Sequence, residues 1–413
     1  MTMPTYHTAR LRHARHFADA ADHAEQLFRN GNQTDGLARF DQDRGQIDAA
    51  WHWLVQQPPT PATDDLLLDY ANATASLGEL RYRTREERIP QLEVQIAAAQ
   101  RQGRLYAEGA ALGNLALAYA YLGEYERAIA VYTQRITLAQ ATGDRRGEGA
   151  ALGNLGNAYK DQGNYQQALT YHQQALHITR ELGNRRGEGA QLGNIANIYI
   201  SLGDYNQAIA YLEQHVALAR EVGDHQGEAI ALGNLCFAYR SCRDYQQAIT
   251  YGLQALDATR LIGDRRTEGN TLINLGSAYS ALGDYQQAVS CFEQQTAIAS
   301  ELGDQRGASA AFGNLGIIYK RLGAIDQAIA NYEQALAIDQ AIGDHLSQAL
   351  DSWNLGLLYE QQGDPARAIA LMQICVDFER KAGHADAEKD AQRVEWLRQR
   401  LETENEHISK QGR

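Results

Sequence analysis

Asparagine recurs at Asn114, Asn154, Asn194, Asn234, Asn274, Asn314 and Asn354, each forty residues after the last. Glycine precedes it at Gly113, Gly153, Gly193, Gly233 and Gly313, with Ile273 and Trp353 in the remaining copies. A carboxamide both donates and accepts, so it can pair with a peptide bond of any sequence. A row of them can hold an extended chain by its backbone, and the neighbouring glycine removes bulk from the floor beneath. The same asparagine could instead cap or cross-link neighbouring helices. Three residues on stand Asn157, Asn197 and Phe237, and six residues on Lys160, Arg240 and Lys320 occupy every second copy. Those bases would suit an acidic partner; an ordinary solvated face is the alternative.

Nothing comparable points to catalysis. The chain carries no Ser–His–Asp arrangement, HExxH, GxxxxGK[ST] loop or paired carboxylates in an apolar context. We therefore expect no enzyme, cofactor or metal. His225 and His345 fall in turns, and His172 and His177 are five apart, the wrong spacing for one helical face. Cys236, Cys242, Cys291 and Cys375 form no ligand spacing and sit at apolar helical positions, as reduced structural thiols of a cytoplasmic protein would. The formal charge of −13 argues against a broad nucleic-acid face. No apolar run approaches a membrane span, and the start of the chain lacks the apolar region of a secretory signal.

The elements that must position the asparagines follow from the same step. Tyr119, Tyr159, Tyr199, Tyr239, Tyr279, Tyr319 and Tyr359 trail the asparagines by five residues. The turn glycines Gly123, Gly163, Gly203, Gly283, Gly323 and Gly363 keep the register, with Arg243 the exception. Each unit predicts two helices. In residues 184–223, Asn184 follows Gly183 as a helix start after a helix stop. Leu192, Ile195, Ala196, Tyr199 and Leu202 then recur at helical spacing. Gly203 and Asp204 repeat the punctuation, and Tyr205, Ala208, Ile209, Leu212, Val216 and Ala219 form the next stripe. Tyr211, Leu218 and Val222 make the second helix apolar on another side, so each unit hides its face only by stacking.

With Leu152, Leu155, Gly156, Tyr159, Ala168 and Ala175 at its signature positions, the unit resembles the tetratricopeptide repeat. It is lengthened, like the repeats of kinesin light chains, spindle-orientation adaptors and many bacterial signalling proteins. The resemblance spans about residues 104–383. It implies an all-α, right-handed superhelical solenoid of antiparallel helix pairs whose first helices line a concave surface. It also implies a peptide groove along Asn114, Asn154, Asn157, Asn194, Asn197, Asn234, Asn274, Asn314 and Asn354, with Lys160, Arg240, Lys320 and Phe237 beside them. The groove is expected to be polar around residues 110–240 and more apolar toward Ile273 and Trp353. The clamp for C-terminal carboxylates found in chaperone adaptors needs lysines where this chain mostly has Ala and Gly.

The ends differ. We expect an N-terminal helical cap at 1–58, a degenerate helix pair at 59–103 (about Asp64–Tyr82 and Thr84–Gln102), seven repeats at 104–383, a capping helix at 384–405 and a disordered tail at 406–413. The stretch RHARHFADAADHAEQLFRNG…LARFDQDRGQIDAAWHWL is similar to a segment of bacterial STAND-class signalling ATPases, through His16, Phe17, Leu37, Ile47, Ala50 and Trp53. Without a phosphate loop the chain would be their sensor part standing alone or a piece of a longer protein; an idiosyncratic cap is the alternative. The turn column Arg145, Arg146, Arg185, Arg186, Arg265, Arg266 and Arg306 lies close to Glu148, Glu188 and Glu268, which local ion pairing explains. The expectation is a monomeric, non-catalytic protein- or peptide-binding sensor or scaffold of bacterial signalling. A regulatory subunit of an effector protease or ATPase and a self-assembling solenoid are the alternatives.

Overall fold

The computed structural model describes the backbone of residues 6–411 and the side chains of residues 6–403. Among the described residues there is no strand, and the regular structure is helical. The chain forms two compact units, divided between Leu202 and Gly203.

The first unit opens with α1 (Tyr6–Arg29) and α2 (Gln33–Val55). Ala14, Ala18, Ala21 and Ala24 put small side chains on one face of α1, against Phe40, Ile47 and Leu54 of α2. Two short helices follow, α3 (Pro61–Ala73) and α4 (Leu77–Arg81), then a π-helical turn at Thr84–Arg88 and α5 (Ile89–Arg101). The sequence predicts one continuous helix across α3 and α4. The break has a specific cause: buried Glu25 accepts the backbone N–H groups of Ser76 at 2.9 Å and Leu77 at 3.0 Å. Burial alone would raise the Glu25 pKa; those bonds and the Arg29 pair outweigh it and lower it. Pro90 sits in the first turn of α5, where no N–H is needed.

Regular helix pairs complete the unit as α6 (Leu105–Tyr121) with α7 (Tyr125–Thr142), α8 (Arg145–Asp161) with α9 (Tyr165–Glu181), and α10 (Arg185–Ser201). The second unit runs α11 (Tyr205–Val222), α12 (His225–Ser241), α13 (Tyr245–Ile262), α14 (Arg265–Leu282), α15 (Tyr285–Leu302), α16 (Gln305–Arg321), α17 (Ile325–Ile342), α18 (His345–Gln361), α19 (Pro365–Ala382) and α20 (Ala387–Gln411). Within each unit consecutive helices pack side by side. This is the stacking of an all-α solenoid.

The connectors explain the regularity. The backbone adopts a left-handed conformation every twenty residues from Gly103 to Gly383. At Gly163 the φ is +85°. There the Gly163 N–H returns to the Lys160 carbonyl and the Asn164 N–H to the Tyr159 carbonyl at 2.8 Å, which closes the helix end. Asn164 then caps the next helix by accepting the Gln167 N–H. Asp144, Asn184, Asp204, Asp224 and their successors do the same; Glu124 and Ala324 make no such side-chain bond. Arg243 adopts φ +64° where the other connectors have glycine. The interior is equally periodic: Ala128, Ala168, Ala208, Ala248, Ala288, Ala328 and Ala368 are fully buried on the second helices.

The last helix, α20, packs Val394 and Leu397 against Met372 and Val376. Its backbone continues to Gln411, past the limit of 405 expected from sequence; residues 412 and 413 of the expected tail lie outside the described residues.

Candidate functional site

The asparagine column falls near the middle of the first helices α6, α8, α10, α12, α14, α16 and α18. Asn154 is exposed and its counterparts are half-buried. Among the described residues, the amides of Asn114, Asn154, Asn157, Asn194, Asn274, Asn314 and Asn354 make no hydrogen bond within the chain, whereas Asn197 and Asn234 each have an intramolecular partner. The seven unpartnered amides are therefore neither helix caps nor ties between helices; Asn197 and Asn234 are held within the chain.

The glycine floor differs from the sequence expectation. Gly113 is open, with no atom within 4 Å of the place a Cβ would take. Over Gly153 lies Gln191 of the next first helix, its Nε2 at 3.0 Å from that place. Gly313 is covered by Asp351 at 3.2 Å, and Gly233 by the Thr271 hydroxyl at 3.5 Å. The missing Cβ at Gly153, Gly233 and Gly313 thus accommodates a polar side chain of the following repeat rather than a ligand. Trp353 is half-buried and packs against the cluster of Met372, Val376, Val394 and Leu397 under α20.

These covering side chains build polar seams that local motifs did not reveal. Buried His172 donates from Nδ1 to Gln191 Oε1 at 2.8 Å, and burial, with Lys160 nearby, lowers its pKa. Four repeats on, Asp351 on α18 stands where Gln191 does and Tyr332 where His172 does, and Asp351 meets a second carboxyl, Asp339 on α17. This corrects the expectation that no carboxylates pair in an apolar context. The two residues are twelve apart on separate helices, so no sequence motif marks them. Ser309 donates to Asp339 Oδ1, while Oδ2 is buried and lacks a donor. Desolvation first, and then the Asp339 charge, pushes Asp351 up to about 7, and Asp339 is raised as well. With both ionised neither can donate; a proton on Asp351 supplies the donor that Asp339 lacks.

The basic residues have distinct settings. Lys160 lies 3.3 Å from Asp161. Arg240 stacks over Phe237 at 5.1 Å, and Phe237 meets Tyr205 edge-on at 6.4 Å. Lys320 forms no ion pair among the described residues. The tyrosine column ties repeats together: Tyr239 donates to Glu213 at 3.0 Å and Tyr359 to Glu333 at 2.7 Å. In the turns, Glu188 is held by Arg180 at 2.8 Å and Arg185 at 2.9 Å, and Glu268 by Arg260 at 2.7 Å and Arg265 at 2.5 Å. Arg145 reaches Glu148 at 2.6 Å and also Glu181. Ion pairing therefore accounts for the first arginine of each turn.

Cys236, Cys291 and Cys375 are buried, and burial pushes the thiols of Cys236 and Cys291 up to about 12. Cys242 departs from expectation, lying exposed at the end of α12 beside the Arg243 connector. His225 and His345 are exposed at helix starts. Among the described residues no group of three or more His, Cys, Asp or Glu side chains could hold a metal ion, and no helix is long and apolar enough to cross a membrane.

Comparison with known proteins follows the same geometry. The sequence profile of the tetratricopeptide repeat matches residues 107–181, 188–260, 227–301 and 307–377. No curated protein matches the chain. Among solved structures, the apo form of RapI superposes with a TM-score of 0.61 at 14% identity, over 89% of this chain and 98% of that one. The apo quorum sensor NprR from B. thuringiensis gives 0.55 at 15% identity, over 87% and 97%. A signal transduction ATPase with numerous domains carrying a tetratricopeptide repeat sensor, from Pyrococcus horikoshii, gives 0.57 at 13% identity. It is covered over 55% of its length by 85% of this chain. At these identities the likeness is one of fold.

Proposed function

We propose that this chain, which belongs to the tetratricopeptide repeat family, is a non-catalytic binding protein whose first helices hold an extended peptide or protein segment. The observation that carries this reading is the set of unpartnered amides at Asn114, Asn154, Asn157 and Asn194 on successive first helices. Polar groups that a fold leaves unsatisfied on a half-buried face favour a ligand able to pair with them. A peptide backbone offers alternating donors and acceptors, which suits carboxamides whatever the side chains. Lys320, and the Arg240–Phe237 stack, would meet acidic and aromatic side chains of the occupant. The role is that of a sensor or scaffold in bacterial signalling, acting in the cytoplasm as a monomer.

Selection of random peptides on the full chain, followed by affinity measurement on the triple variant Asn154→Ala, Asn194→Ala, Asn234→Ala, tests the reading. Affinity should be lost while helical content is retained. Unchanged affinity sinks it.

A further inference from the structure

The degenerate pair leaves a cleft of about 550 Å³ between α4, the π-helical turn, α5 and α6. Where regular repeats have an unbroken first helix of seventeen or eighteen residues, this pair has α3 of thirteen and α4 of five with a break between them, and the cleft lies beside α4. The cleft is lined by Leu80, Leu92, Leu117 and Tyr121, of which Leu80 is 55% exposed, Leu117 47% and Tyr121 83%. Large apolar side chains left this open on one concave surface mark an interaction site more often than a stability feature. The equivalents of Tyr121 in the next repeats are Asp161, Ser201 and Ser241, so the apolar character belongs to this place and not to the repeat.

Charge distinguishes the cleft further. Arg83 and Arg88 line it against the single carboxylate of Glu79, in a chain whose formal charge is −13. Arg83 is exposed and forms a long ion pair with Glu87 at 3.6 Å, a carboxylate that Arg44 also approaches at 3.8 Å. Arg88 is buried, donates to the Ala75 carbonyl at 3.3 Å and makes no ion pair among the described residues. Arg85, by contrast, is taken up by Glu124 at 2.5 Å. In the lining itself two arginines face one carboxylate beside an apolar floor, which favours an acidic group over a basic one. Asn114, the first of the unpartnered amides, stands on the rim.

We propose that this cleft is a specificity subsite for a bound peptide, taking an apolar side chain together with an adjacent Asp or Glu side chain while Asn114 pairs with the backbone. The proposal rests on the peptide-groove reading above and names the residue pair that the groove selects. Arg83 would pair with the carboxylate, and Leu117 and Tyr121 would cover the apolar side chain.

The test is affinity selection on the full chain with two amidated peptide libraries, random except for a central Leu-Glu or Leu-Gln. The Leu-Glu library should be retained about tenfold better, the difference one charge-assisted pair makes. Arg83→Gln, a surface change, should bring Leu-Glu down to Leu-Gln, and Leu117→Asp should reduce both. Equal retention of the two libraries overturns the subsite, and if Asn154→Ala with Asn194→Ala still abolishes binding, the groove reading survives it. A Leu-Glu preference erased by Arg83→Gln but indifferent to those asparagines supports the subsite and removes the long groove. A Leu-Gln library that regains full retention once its C-terminus is a free acid shows that chain ends are selected instead, and overturns the proposal. Retention of neither library overturns both.

Discussion

The carboxamide of Gln191 lies over Gly153, its Nε2 at 3.0 Å from the place of a Cβ, while its Oε1 receives the Nδ1 proton of His172 at 2.8 Å. One side chain thus closes the floor of one repeat and accepts from Nδ1 of a buried ring at the seam with the next, while the ring's Nε2 stays without a partner. The glycines on the first helices consequently differ in kind, and substitutions at them should separate.

Gly113→Ala places a methyl group in open space within α6 and should stabilise the chain by about 0.5–1 kcal/mol through helix propensity. Gly316→Ala meets the buried Tyr332 ring at 2.8 Å and should cost roughly 1–3 kcal/mol by overpacking. Denaturant midpoints of the two variants check this. If Gly113 is part of the peptide floor, its variant should also bind selected peptides more weakly despite being more stable.

Arg243→Gly should raise stability by about 1 kcal/mol, because a side chain at φ +64° is strained and glycine there is not. Arg243→Ala keeps the Cβ and should leave stability nearly unchanged. A thermal melt comparing the two variants isolates the strain from the loss of the guanidinium.

Asp351 gives a pH dependence with a definite sign. Its folded pKa of about 7 stands above the ordinary aspartate value of 3.8, so the folded state holds a proton that the unfolded state releases. The stabilisation is complete below about 3.8 and is lost as pH rises through about 7. His172 and His215, whose pKa values burial lowers, act oppositely and lose stability as pH falls below 6.5. The difference between Asp351→Asn and the parent removes that background. Asn should be the more stable at pH 8, on the order of a few kcal/mol, and the advantage should shrink toward pH 4. Urea titrations at several pH values measure it, and a difference independent of pH contradicts the shared proton.

Asn154→Ala combined with Asn194→Ala should change stability by less than about 0.5 kcal/mol, since neither amide has a partner to lose. Peptide affinity should fall at least about tenfold, the loss of one or two hydrogen bonds. A large drop in stability would assign the column to structure after all.

Much of the fold was legible because punctuation and stripes carry it. Gly163 followed by Asn164, and Ala168 in a helical stripe, are local signals, and they mark helix ends correctly. The break between α3 and α4 was not legible, because Glu25, fifty-one residues before Ser76, supplies the cap. At the site, the position of the asparagines on the first helices followed from the register. What covers each glycine did not, since a missing Cβ records space without recording its occupant. The Asp339–Asp351 pair escaped for the same reason: its members meet only when two helices stack. Cys242 looked like a core thiol on spacing alone, but it stands where α12 has already ended.

Most connectors close one helix and cap the next within three residues, whichever pair of helices they join. At the level of the gene, the array can therefore grow or shrink by forty codons without leaving a scar, because any cut between Gly143 and Asp144 can be rejoined at Gly183 and Asn184. A slip of twenty codons would rejoin just as cleanly but exchange the asparagine-bearing helices for the alanine-bearing ones downstream. Lineages carrying this chain should accordingly differ in length by whole forties, with recombination endpoints at the glycines.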